Sequence, residues 1–172
     1  MTDFSSVGLW DRHYAMQTEP TPYGDSPTYK IAADWVADCK SIEEWGCGPA
    51  WLKQFCNADA YIGVDGSNSP FADIIEDIAT RETSCEGLVI RHVLEHNYNW
   101  AEIIDNAVKS FTKKLCVVLF TQWQEETHVL FTEPEYGDVP TIGFSKTDLV
   151  KHFPNKTIIS YSGTETILRS KW

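Results

Sequence analysis

Residues 41–52 read SIEEWGCGPAWL. Two glycines, Gly46 and Gly48, stand one residue apart, directly after the acids Glu43 and Glu44 and directly before Pro49. KSIEEW has the length and composition of a short strand. PAWLKQF opens a helix, with Pro49 suited to its first turn. A strand that enters a helix through a glycine-spaced turn is the first unit of a doubly wound α/β sheet, where ligands bind beyond the carboxyl ends of the strands. The third glycine of a dinucleotide fingerprint is absent, because Trp51 holds its place. Glu44 would also repel a diphosphate, whereas a cationic ligand would be drawn to it.

Working outward, TYKIAADWVADC carries Ile31, Trp35, Val36 and Cys39 at helical spacing. AYIGVDG reads as a second strand, FADIIEDI as a short third and GLVIRHV as a fourth, apolar enough to be buried on both faces. NWAEIIDNAVKSF is the clearest helix, with an apolar stripe from Trp100 to Phe111 and Asn99 with Glu102 placed to cap its start. KLCVVLFTQW is a fifth strand, and THVLF a further short one inside an acidic stretch. SKTDLVKHFP is a helix with a capping box from Ser145 to Asp148, stopped by Pro154. KTIISYSGTETILRSKW reads as two strands around a turn. The expected fold is α/β, Rossmann-like and doubly wound, with a mostly parallel sheet and a C-terminal antiparallel hairpin. Residues 1–27 form an aromatic, turn-rich arm and residues 28–172 the domain.

Glu44-Trp45-Gly46-Cys47-Gly48 resembles the acid-x-Gly-x-Gly motif of the class I, Rossmann-like methyltransferases that use S-adenosyl-L-methionine (SAM). Three further stretches carry the resemblance. Asp65 ends the second strand nineteen residues after Gly46. Asp77 and Ile78 follow the third strand. IRHVLEHNYNW after the fourth resembles the HVLEH stretch of many small members. The resemblance implies SAM as cofactor, leaving as S-adenosylhomocysteine. It implies that Glu44, Trp45, Gly46, Cys47 and Gly48 bind the cofactor, with its methionine part passing against Gly46, that Asp65 receives the ribose, and that Gly66, Asp77 and Ile78 receive the adenine. One departure is visible: between Asp65 and Asp73 the chain has only GSNSPFA, so the helix usual between these strands is missing, and contacts from Gly66 and Ser67 are less secured than those of Glu44 and Asp65.

Methyl transfer is an in-line displacement that mainly requires alignment and exclusion of water. A general base helps if the acceptor is a hydroxyl. His92, at the end of the fourth strand, is the candidate catalytic residue, with a loop-holding histidine as the alternative. Glu95 and His96 read as helix-entry residues. Arg91 is placed to meet the cofactor's carboxylate or a substrate anion, or to face solvent. The Asn- or Asp-Pro-Pro-aromatic motif of members that methylate amino groups of nucleic acid or glutamine is absent, as is the Pro-Cys nucleophile of cytosine-carbon methyltransferases. The arm, with Trp10, His13, Tyr14 and Tyr23, and the acidic stretch 122–143 are candidates for the walls of a substrate pocket or for simple packing.

The 172 residues carry a formal net charge of −11 and no dense basic run, which opposes binding to a nucleic-acid backbone. Five cysteines without a CxxC, and a start lacking the pattern of a secretory signal, point to reduced thiols in a cytoplasm. The histidines and cysteines do not fall at zinc-ligand spacing, so no metal is expected. No apolar run has the length of a membrane span. The expected activity is methyl transfer to a hydroxyl or amine of a small molecule, such as a sugar or other metabolite. A methyltransferase of protein or RNA, and a non-catalytic SAM-binding protein, are the alternatives.

Overall fold

A computed structural model describes residues 7–24, 26–57, 59–133 and 139–172 of the chain. Parts of the arm (1–6) and of the acidic stretch (134–138) lie outside the described residues. The elements run α1 (Val7–Tyr14), α2 (Ser26–Val36), β1 (Ile42–Trp45), β2 (Tyr61–Asp65), β3 (Ile74–Ile75), β4 (Cys85–Arg91), α3 (Trp100–Ser110), β5 (Phe111–Leu119), β6 (His128–Glu133), β7 (Val139–Gly143), α4 (Lys146–Val150), β8 (Ile158–Ser162) and β9 (Glu165–Lys171). Seven strands form one sheet in the order β3-β2-β1-β4-β5-β9-β8. β1 to β5 pair in parallel, and β9 and β8 pair antiparallel. Strand order reverses between β1 and β4, which makes the crevice above that pair the place for a ligand. β6 and β7 form a separate antiparallel hairpin.

The central strands are buried on both faces, as their continuous apolar runs require. Leu88 and Ile90 of β4, with Leu115 and Val117 of β5, pack beneath α3, α4 and the hairpin. The intervening Val89, Cys116 and Val118 pack beneath α2. All five cysteines are free, and only Cys56 is more than slightly exposed.

Several local expectations change. The face α2 buries is Tyr29, Ala32, Ala33 and Val36, with Ile31 and Trp35 at its margins; Cys39 lies in the turn beyond the helix. The helix expected after Pro49 is only a 3-10 turn, Trp51–Phe55. Gly46, Gly48 and Ala50 all have positive φ, and this left-handed backbone delays helix entry. β3 shrinks to two residues, which lets residues 66–73 return without a helix, because only a two-residue step has to be retraced. Asn99 makes no side-chain cap on α3. At α4 the Ser145 hydroxyl accepts the Asp148 N–H at 3.1 Å, but the return half of the box runs through Thr127. That hydroxyl accepts the Ser145 N–H at 2.9 Å and donates to Asp148 at 2.8 Å.

Candidate active site

A cavity of about 370 Å³ opens above the carboxyl ends of β1 and β4. That is within the usual range for a small-ligand site. Its floor is Glu44, Gly46, Cys47, Gly48 and Pro49. One wall is Arg91, His92, His96 and Phe120; the arm supplies Trp10, Tyr23 and Gly24, and the hairpin supplies Phe131, Glu133 and Thr141.

Glu44 is buried, and Tyr61 donates its hydroxyl to the carboxyl. Burial pushes this carboxyl up to about 8, and nearby Asp65 adds to the rise, while the Tyr61 bond and Arg91 oppose it. A buried carboxyl that is neutral for want of a cation favours a positively charged ligand. Alternation along β1 sends its neighbours the other way. Trp45, expected among the cofactor contacts, is fully buried in the core beneath α3 and donates its indole N–H to Glu43 at 2.8 Å. Glu43 is held in turn by Arg81, at 2.9 and 3.0 Å.

The glycines of the turn are required by the protein itself. Gly46 has φ +70°, and a Cβ there would lie 2.3 Å from a methyl of Val93. Gly48 has φ +49°, and a Cβ there would lie 2.8 Å from the Tyr14 hydroxyl. The absence of side chains at these positions therefore follows from the left-handed turn and from Val93 and the arm.

Asp65 ends β2 as expected, but its carboxylate is turned back on the chain. It accepts the Gly48 N–H at 2.8 Å, and the Ser67 N–H and hydroxyl at 2.9 and 2.5 Å. Tyr14, buried, stacks with Trp10 over this corner, and Asp11 takes the Asn68 N–H at 2.6 Å. Helix α1 thus lies across the turn and the β2 loop. Asp65 and Gly66 are outside the cavity lining. So are Asp77 and Ile78. Asp77 is exposed and its carboxylate takes the Ala79 N–H at 2.9 Å, while Ile78 is buried in the core, its carbonyl accepting from Asn106.

Arg91 does not face solvent; its side chain is 3% exposed. It pairs with Glu165 at 3.1 Å, donates to Thr28 at 3.0 Å and lies 3.8 Å from the Tyr29 ring centre. Thr28 donates to the same Glu165 at 2.6 Å. His92, at φ +56°, has Nε2 2.9 Å from Glu165 Oε1 and Nδ1 3.4 Å from Arg91. Both ring nitrogens thus lie against charged neighbours. His96 was read as a helix-entry residue, yet it lines the cavity, its Nδ1 3.0 Å from the Pro140 carbonyl. Glu95, fully buried, ties the turn after β4 to the residue after β5: it takes the Phe120 N–H at 2.6 Å and is pushed up to about 7 by burial.

Sequence reading missed Glu165. It opens β9, and since β9 runs antiparallel, its start lies at the carboxyl end of the parallel strands. Nothing local to TETILRS marks it. Of the arm residues, Trp10 and Tyr23 reach the cavity, and His13 backs Tyr23 with a contact of 2.6 Å. Of the acidic stretch, β6 and β7 supply the hairpin wall.

No family model matches the sequence, and no curated protein matches it. Solved structures do. A 1,6-didemethyltoxoflavin N1-methyltransferase from Burkholderia thailandensis, with S-adenosylhomocysteine bound, superposes with a TM-score of 0.65 at 8% identity over 85% of this chain and 76% of that one. The magnesium protoporphyrin IX methyltransferase of Synechocystis, with SAM bound, gives 0.60 at 12% identity over 98% of both chains. A Rhodobacter sphaeroides protein described as a zinc-dependent alcohol dehydrogenase gives 0.68 at 7% identity over the whole of both. At these identities the likeness establishes the fold: Rossmann-like, mostly parallel, closed by an antiparallel hairpin. Among the described residues no three His, Cys, Asp or Glu side chains group as metal ligands, and no helix is long and apolar enough to cross a membrane.

Proposed function

We propose that this chain is a SAM-dependent methyltransferase acting on a small molecule. One observation carries the reading: a fully buried carboxyl, Glu44, faces a cavity at the switch point of the sheet, beside a turn of left-handed glycines. SAM supplies an ammonium group, and a sulfonium that activates its methyl carbon. Glu44 would take the ammonium, and the backbone of Gly46 to Gly48 would border the methionine part. Arg91, already paired with Glu165, would border the cofactor's carboxylate. The structures that share the fold and were solved with SAM or S-adenosylhomocysteine support the choice of cofactor.

The nucleoside end fits on chemistry more than on space. Asp65 is a buried carboxylate, suited to ribose hydroxyls, and one of its hydrogen bonds comes from the glycine turn itself. Occupancy by ribose requires α1 and Tyr14 to yield. The carboxylate of Asp77 and the N–H of Ile78 would reach adenine only with a shift of the loop after β3. In this reading the arm, set at residues 1–27, covers the site of the domain at 28–172 through its described residues 7–24. Acidic balance opposes a nucleic-acid acceptor. Reduced thiols suit the cytoplasm.

A protein acceptor is the second reading. Val129, Leu130 and Phe131 of β6 are all more than a third exposed, and Phe131 also reaches the cavity. Such an apolar edge beside the mouth suits a peptide partner. Incubating the chain with SAM carrying a labelled methyl group and separate pools of metabolites, proteins and RNA tests both readings. Label in the small-molecule fraction supports the first reading and label in the protein fraction the second. Bound SAM without transfer to any pool supports a non-catalytic cofactor-binding protein.

A further inference from the structure

His96 ends the 3-10 turn after β4. Its ring is held between Phe120, 5.2 Å away and tilted by 31°, and Trp10 of the arm, 5.5 Å away. Nδ1 lies 3.0 Å from the Pro140 carbonyl oxygen, which accepts but cannot donate. Nδ1 therefore carries the proton, and Nε2 is left with a lone pair. No protein group among the described residues engages that nitrogen, and the ring lines the cavity. The cavity it lines is shared with Glu44 and the glycine turn, on the cofactor side, and with Phe131 and Glu133 of the same hairpin that carries Pro140.

We infer that His96, not His92, accepts the proton of the methyl acceptor, and that the acceptor is a hydroxyl on an aromatic ring. The inference rests on the methyl-transfer reading of the same cavity. The step balances as follows. The acceptor O–H bond breaks, its proton passes to His96 Nε2, and the freed electron pair forms the new O–C bond. The C–S bond breaks with its electrons passing to sulfur, which leaves S-adenosylhomocysteine, and the imidazolium returns its proton to solvent. The aromatic walls, Trp10, Phe120 and Phe131, suit a planar acceptor. Burial holds His96 below the usual histidine range, and His92 pushes in the same direction, while the bond to Pro140 opposes both. Glu44 and Glu133 line the same cavity and Glu95 precedes His96 in the chain; among the described residues none of the three is paired with its ring. Arg91 and Glu165 are engaged with His92.

The test uses the full chain labelled with ¹⁵N, with S-adenosylhomocysteine as the probe of the cofactor site. Imidazole spectra should show His96 neutral at pH 7, protonated on Nδ1 and bare on Nε2. A proton on Nε2, or an imidazolium at that pH, overturns the assignment. His96→Asn keeps a donor for Pro140 and removes the base. With phenol, catechol and 2-naphthol as acceptors, it should turn over at least ~100-fold more slowly than wild type while its affinity for S-adenosylhomocysteine stays within about two-fold. The wild-type rate should fall on the acid side with the midpoint at which the His96 ring titrates. Turnover by the variant within a few-fold of wild type overturns the inference, as does wild type that binds SAM yet methylates none of the three phenols. A wild-type chain that binds neither SAM nor S-adenosylhomocysteine removes the methyl-transfer reading itself, a different failure from a misassigned base.

Discussion

The two ends of the site are built differently. At β1 and β4 the cavity is open, and its one motif acid, Glu44, is buried with no ion pair among the described residues. At β2 and β3 the acids are already used: Asp65 holds Gly48 and Ser67, and Asp77 holds Ala79. The first end has its chemistry set before a ligand arrives. The second has its acids engaged in internal contacts, under the cover of α1. The difference follows from the trimmed connection after β2. With no helix in residues 66–73, Asp65 itself ties the loop to the glycine turn.

The largest effect should come from breaking that tie. Asp65→Ala leaves the buried N–H groups of Gly48 and Ser67 without their partner. Urea unfolding should show a loss of about 3 kcal/mol or more, given roughly 1–3 for each unsatisfied group. A folded variant of nearly native stability would mean that the loop does not depend on Asp65, and that the second end is no more committed than the first.

Glu44→Gln should act in the opposite sense on stability. The carboxyl is raised from its ordinary value to about 8, so folding favours its protonated form. The stability it contributes is full below about pH 4.5 and is lost as pH rises through 8. Glutamine keeps an acceptor for Tyr61 and has no charge to bury. At pH 9 the unliganded variant should therefore be more stable than wild type by over ~1 kcal/mol, with little difference at pH 4, while SAM affinity falls tenfold or more. Thermal melts at the two pH values and a SAM titration check both halves. Equal melts at pH 9 would mean that burying the charge of this carboxyl does not weigh on the open end.

Gly46→Ala should cost about 2 kcal/mol, because its Cβ enters a left-handed turn against Val93. Loss of SAM binding in that variant would follow from the distorted turn. The smallest effect belongs to the cover. Asp11→Ala removes the exposed contact to Asn68 and should change stability by less than ~1 kcal/mol. It should speed SAM association a few-fold, read from tryptophan fluorescence in a stopped-flow mixer. An unchanged association rate would mean that α1 does not gate the second end.

How much of this was legible in the sequence depends on the range of the interactions. The central strands announced themselves, because GLVIRHV and KLCVVL are apolar on both faces, and the glycine spacing located the switch point. Trp45 was misplaced because a motif gives positions without faces; alternation along β1 turns Glu44 to the cavity and Trp45 to the core. The helix after Pro49 was overestimated because the left-handed φ of Ala50 has no sequence signal. Arg91 was left between solvent and ligand because its partner, Glu165, is seventy-four residues away. The contrast of His92 and His96 turns on the Pro140 carbonyl and on Glu165, groups that only the folded chain brings near.

The central claim is that a cation of SAM is received at Glu44. Calorimetric titration of the chain with SAM at pH 7, repeated in buffers of different ionisation heat, measures affinity and proton release together. With the carboxyl near 8 before binding, arrival of an ammonium should drive off about one proton. Glu44→Gln should bind more weakly and release almost none. Absence of SAM binding by wild type would contradict the account, and so would binding with the same affinity and proton release in wild type and Glu44→Gln.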